Sequence, residues 1–166
     1  MRAGRKIGAR HRSLGFTYLA LLLIVAAMGG GFAAYGELAS RSMQREKEAE
    51  LLFVGDEYRR AIGTYYENSP AGHKRYPKSL EALLKDERFA FNRRHLRRLY
   101  RDPVTGKDWA TVEAPEGGIM GVRSTSAAAP LKSADFLPQD AAFEGAPRLA
   151  DWQFVYGPLA APTASK

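Results

Sequence analysis

Apolar side chains are distributed unevenly along this chain. Between Arg12 and Glu37 there is no charged residue, and the middle of that interval reads Leu19-Ala20-Leu21-Leu22-Leu23-Ile24-Val25-Ala26-Ala27-Met28. With its flanks the run reaches the roughly 20 apolar residues that a bilayer requires. Such a segment has to be helical, because hydrocarbon offers no partner to an unpaired backbone N–H or C=O. From Glu37 the chain turns polar and then periodic. Leu51, Val54, Tyr58, Ala61, Ile62 and Tyr65 recur at the spacing of one helix face, opposite a polar face with Glu57, Arg59 and Arg60. Asn68-Ser69-Pro70-Ala71-Gly72 ends the pattern, since proline cannot continue a helix. Only Gly29, Gly30 and Gly31 interrupt the run up to Glu67, which therefore predicts one helix of about 50 residues, roughly 75 Å at 1.5 Å per residue. Residues 37–50 are nearly all charged or small, and so should touch solvent or neighbours in an assembly.

Beyond the proline the elements are short. Tyr76-Pro77-Lys78-Ser79 introduces a helix over residues 80–85 with its leucines on one side. The basic run Arg93-Arg94-His95-Leu96-Arg97-Arg98 could bind DNA or an acidic partner, but reads first as a solvated helix face, with Leu96 and Leu99 turned inward and arginines pairing with Asp86, Glu87 or lipid headgroups. Asp102-Pro103-Val104-Thr105-Gly106 is a turn, with proline presetting φ and glycine free to take a positive one. Residues 109–113 and 119–124 read as strands joined by a hairpin loop at Pro115-Glu116-Gly117-Gly118, and Trp152-Gln153-Phe154-Val155-Tyr156 alternates like a third strand. The fold class this predicts is α+β, a long N-terminal helix packed on a small antiparallel sheet.

Composition narrows the function. The net charge of +7 suggests a polyanion partner, but the first fifteen residues hold five Lys or Arg and no acid, which leaves only +2 on the remainder. The basicity is mostly a topological signal. No nucleic-acid partner is expected, because a nucleic-acid protein carries its positive charge on its folded domain, and no aromatic residue lies within the arginine cluster to stack on bases. Basic residues ahead of the apolar run and Glu37 after it predict an amino end retained in the cytoplasm and a head on the far side of the membrane. There is no cysteine, so disulfides, thiol nucleophiles and thiolate metal sites are excluded. The three histidines, His11, His73 and His95, have no nucleophile or ligand partner nearby in sequence, and no catalytic or phosphate-cradling motif is present. An enzyme is not expected.

The apolar run supports three fates: an uncleaved anchor that holds a periplasmic binding domain, a secretory peptide cut after Ala34-Tyr35-Gly36 to release a domain starting at Glu37, or a segment trimmed at its head. Gly15-Phe16-Thr17, at the junction of basic leader and apolar helix, resembles the class III signal of type IV pilins and type II secretion pseudopilins. Tyr76-Pro77 with Asp102-Pro103-x-Thr105-Gly106 is similar to the pair of motifs that brackets the step from helix to sheet in the heads of major pseudopilins. The resemblance implies a pilin-like fold and cleavage by a prepilin peptidase between Gly15 and Phe16, with methylation of Phe16. Its other implied partners are sibling pseudopilin subunits, an inner-membrane secretion platform and membrane lipid. A minor pilin of a type IV pilus or DNA-uptake system is the alternative within the same family. The family's glutamate at the fifth mature position is replaced here by Ala20.

Small residues at Ala26, Gly30 and Ala34 set a face on which two helices can approach closely. The implied organisation is a leader at 1–15, a transmembrane half-helix at 16–36, a soluble half-helix at 37–67, a periplasmic head at 68–160 and a tail at 161–166. The inner membrane is crossed once. Major pseudopilins bind calcium near their C-terminus, but Asp135, Asp140, Glu144 and Asp151 lack the density of a calcium loop. No metal and no other cofactor is expected.

Overall fold

A computed structural model of the chain describes residues 14–70 and 73–157, with side chains given for 18–26, 40–70 and 73–157. The leader and the tail at 161–166 lie outside the described residues. The chain divides into two units, Met1–Ser42 and Met43–Lys166. Helix α1, Leu14–Glu67, begins in the first and ends in the second. It stops at Glu67, immediately before Asn68-Ser69-Pro70.

In the second unit the periodic face of α1 is the core. Leu51, Val54, Tyr58, Ala61, Ile62 and Tyr65 are all buried, and each large apolar side chain so placed contributes about 1.5–3 kcal/mol of gross transfer energy. Opposite them lies a three-stranded antiparallel sheet ordered β1-β2-β3, with β1 at Ala110–Glu113, β2 at Ile119–Arg123 and β3 at Gln153–Val155. The β1–β2 pairing slips one residue between Val112 and Glu113. The loop that follows closes through Ala114 N–H to the Gly118 carbonyl at 2.8 Å, with Gly117 and Gly118 at φ +89° and +87°, where a side chain would be strained. Trp109, Val122, Trp152 and Phe154 supply the sheet side of the core, and Phe143 stacks on Trp152 at 5.5 Å between ring centroids. An α+β unit with a small antiparallel sheet is what the hydrophobic pattern predicts.

Two glycines of α1 let β3 come close. A Cβ on Gly55 would lie 2.5 Å from the Phe154 ring, and one on Gly63 would lie 2.6 Å from the Tyr156 ring. The aromatic residues therefore sit in sockets that only a missing side chain provides.

Several local expectations are corrected. The helix predicted over 80–85 is a single 3-10 turn, Leu80–Leu83. It ends there because the Leu83 carbonyl is taken by the N–H groups of His95 and Leu96, at 2.9 and 3.0 Å. Those two bonds also hold residues 93–98 in an irregular, non-helical path. Leu96 is buried there, whereas Leu99 is 38% exposed. Arg59, assigned to the polar face of α1, is buried under a 3-10 segment, Pro138–Phe143. Glu48, in the stretch expected to touch only solvent or neighbours, is also buried.

Candidate functional site

The expected processing junction, Gly15-Phe16, falls in the first turn of α1, but its side chains lie outside the described ones, as do those of Gly30 and Ala34 in the expected packing face. Ala26, the third member of that face, is exposed. The large apolar side chains between Tyr18 and Val25 are exposed around the helix, from 47% at Leu22 to 65% at Tyr18, and among them no polar face intervenes. A helix apolar on every side is one that lipid or other helices cover. Among the described residues no helix is long and apolar enough to cross a membrane. The span expected at 16–36 falls largely on side chains outside them.

In the second unit the polar chemistry is concentrated in buried knots. The first is built on the Asp-Pro turn. Asp102 is fully buried, and its carboxylate accepts from Val104 N–H at 2.9 Å, Thr105 Oγ1 at 2.7 Å and Ser124 Oγ at 2.7 Å, with Thr105 N–H farther away at 3.4 Å. Ser124 follows directly on β2, so the turn is fastened to the end of the sheet. Burial pushes the Asp102 carboxyl up, but the hydroxyl groups of Ser124 and Thr105 outweigh it and hold the group below its ordinary range.

The second knot joins the basic segment to the end of α1. Asp86 accepts from Arg88 Nε and Nη2, at 2.8 and 2.7 Å, and lies 3.1 Å from His95 Nε2. Burial raises its carboxyl, yet the bonds from Arg88 and His95 bring it down to about 2. Arg88 lies 3.5 Å over the Tyr65 ring and donates to the Tyr65 carbonyl at 2.8 Å, one of the last carbonyls of a helix that have no partner within it. Asp86 is thus taken by Arg88 and His95, not by the arginines of the 93–98 cluster.

Asp140, one of the acids weighed for calcium, meets Arg59 at 2.6 Å, with both side chains nearly inaccessible. Breaking a buried pair from one side costs about 3–5 kcal/mol. Glu48 caps a distant loop, accepting from Leu131 N–H at 2.8 Å and Lys132 N–H at 3.1 Å. Asp151 pairs with Arg148. Among the described residues no group of three or more His, Asp or Glu converges as a metal site.

No family model, curated protein or solved structure matches the chain.

Its chemistry therefore has to be read from its own geometry. A depression of about 600 Å³ is lined by His73, Lys74, Arg75, Tyr76 and Glu116, and a neighbouring one of about 700 Å³ by Tyr65, Lys78, Glu81, Lys85 and Arg88. The second also holds Ser79, whose hydroxyl helps to hold the Glu81 carboxyl below its ordinary range. What this unit offers is a rigid head with tied loops and a densely basic segment. Of the buried polar residues, Asp102 was legible from its turn motif. Asp86 was legible as a partner for arginine, though not for Arg88, and Glu48 and Arg59 were not legible, since their partners are distant in sequence.

Proposed function

We propose that the chain is a pseudopilin-like subunit: inserted with its amino end in the cytoplasm, cut by a prepilin peptidase between Gly15 and Phe16, and assembled with sibling subunits into a periplasmic filament of a secretion machine. The observation that carries this reading is the start of α1. The helix begins at Leu14, at the junction of basic leader and apolar run, and continues unbroken to Glu67, where its last turns are the core of a small α+β head. A cut after Gly15 makes the apolar helix the amino end of the mature chain. The exposed apolar side chains between Tyr18 and Val25 supply the surface that leaves lipid for the helices of other subunits, and the head faces outward. Ala20 provides no carboxylate for a neighbour's N-terminal amine, which suits a subunit at the filament tip, where that contact is not made.

The test is the N-terminus of the mature protein, by intact mass from a host with a prepilin peptidase. A chain that starts at methylated Phe16, and loses that processing in Gly15→Leu, supports the reading. A chain that starts at Met1 is an anchored head, one that starts at Glu37 is a secreted domain, and either outcome overturns it.

A further inference from the structure

This chain has no cysteine, so it holds neither a thiol to intercept a one-electron oxidant nor a disulfide to tie its segments together. Phenol and indole rings are then its most readily oxidised groups. Both tryptophans, Trp109 and Trp152, are buried in the core. Three half-buried tyrosines instead lie together at the end of α1: Tyr66 from its last turn, Tyr76 from the segment that leads into the 3-10 turn at Leu80, and Tyr156 directly after β3.

Tyr66 and Tyr76 are the close pair. Their ring centroids are 4.5 Å apart with 30° between the planes, at the near limit of the roughly 4.5–7 Å over which aromatic rings pack. Tyr156 is farther from Tyr66, at 6.1 Å and 55°, and the buried Tyr58 meets Tyr100 edge-on at 6.4 Å and 82°. The pair is also held in place. Tyr76 Oη donates to the Tyr156 carbonyl at 2.9 Å, and Tyr156 Oη donates to Glu67 at 2.9 Å. The backbone at Gly157 closes on Tyr76, since a Cβ there would lie 2.5 Å from Tyr76 Oη. Lys74, paired with Glu67, sits 5.6 Å over the Tyr66 ring. A cation over the face of a ring opposes positive charge on that ring, so Tyr66 loses its phenolic proton together with the electron.

We propose that Tyr66 and Tyr76 are an oxidative cross-linking site, at which a one-electron oxidant joins the last turn of α1 to the segment that follows it. Each phenol gives up one electron and its O–H proton. The two radicals form a carbon–carbon bond between ring positions next to the hydroxyl groups, and the hydrogens on those two carbons return to the two oxygens. The net loss is two electrons, which pass to the oxidant, and two protons, which pass to water. The bond closes residues 66–76 into a covalent loop, which constrains the unfolded chain as a disulfide does in domains that have cysteine. The inference does not depend on how the amino end is processed.

The experiment exposes the full chain, in a neutral detergent, to photoexcited ruthenium tris-bipyridyl with persulfate, which takes the electrons and ends as sulfate. Trypsin then cuts after Arg60, Lys74, Arg75 and Lys78, which separates residues 61–74 from residues 76–78. The digest is read by mass spectrometry and by the blue fluorescence of dityrosine. The chain that runs as a monomer on a denaturing gel should give these two peptides joined, with the loss of two hydrogens. Y66F and Y76F keep the packed rings and should lose the joined peptide. Y65F and Y100F leave both reacting phenols in place and should keep it. Four results would each overturn the proposal: no joined peptide, a joined peptide that survives in Y66F, Tyr76 joined to the peptide of Tyr156 instead, or a bond formed only between chains.

Discussion

Replacing Asp102 by alanine removes the one carboxylate that serves Val104 N–H, Thr105 N–H, Thr105 Oγ1 and Ser124 Oγ. Thr105 is half-exposed and can turn to water, but Ser124 is fully buried and would be left without an acceptor. Hydrogen bonds to a charged group are each worth about 1.5–3 kcal/mol and do not add, and a stranded buried donor costs about 1–3 kcal/mol more. Together these set the loss at about 3–5 kcal/mol, within reach of the whole stability of an ordinary domain. D102N keeps the shape and one acceptor oxygen, and Ser124 and Thr105 can reverse to accept from its amide, so its cost should be about half as large. The assay is urea unfolding of the full chain in neutral detergent, followed by the emission of Trp109 and Trp152, both buried. At a urea dependence of about 1–3 kcal/mol per molar, D102A should move the midpoint down by about 2 M. A D102A midpoint within about 0.5 M of the parent would refute the assignment of the turn as the fastening of the sheet.

Two further outcomes are expected. Helix propensity alone has Gly55→Ala stabilise α1 by about 1 kcal/mol, but the added Cβ meets the Phe154 ring at 2.5 Å. Overpacking of about 1–3 kcal/mol should therefore make the variant less stable in the same urea assay, and a gain in stability would contradict the socket. The Asp86 carboxyl lies at about 2 when folded, below its ordinary 3.8, so it contributes about 2 kcal/mol above roughly pH 4 that is lost as pH falls toward 2. The acid limb of stability against pH should flatten in D86N, and an unchanged limb would remove that account.

Much of this architecture was legible because its signals are local. The 3.6-residue spacing of Leu51 through Tyr65 marked the buried face of α1, alternation marked the strands, and the Gly-Gly pair marked their hairpin. The misreadings share a cause, which is partners far away in the chain. Arg59 reads as a surface residue until Pro138–Phe143 folds over it and Asp140 pairs with it, 81 positions away. Glu48 looks solvated until residues 131 and 132 come to it. Leu96 and Leu99, three apart, imitate a helix, but backbone bonds to Leu83 hold the chain irregular, and that same path brings Phe89 and Phe91 together beside the arginines. The expected processing junction at Gly15-Phe16, by contrast, rests on the sequence alone.

The sockets at Gly55 and Gly63 bear on how α1 and β3 can move against each other. β3 runs alongside α1 in the same direction, with Phe154 at the first socket and Tyr156 at the second. A slip of the helix by one turn would put Arg59 beneath Phe154 and Glu67 beneath Tyr156, closing both seats at once. Intermediate positions therefore offer no resting place. The helix and β3 are keyed to each other at two points, so they shift together or part.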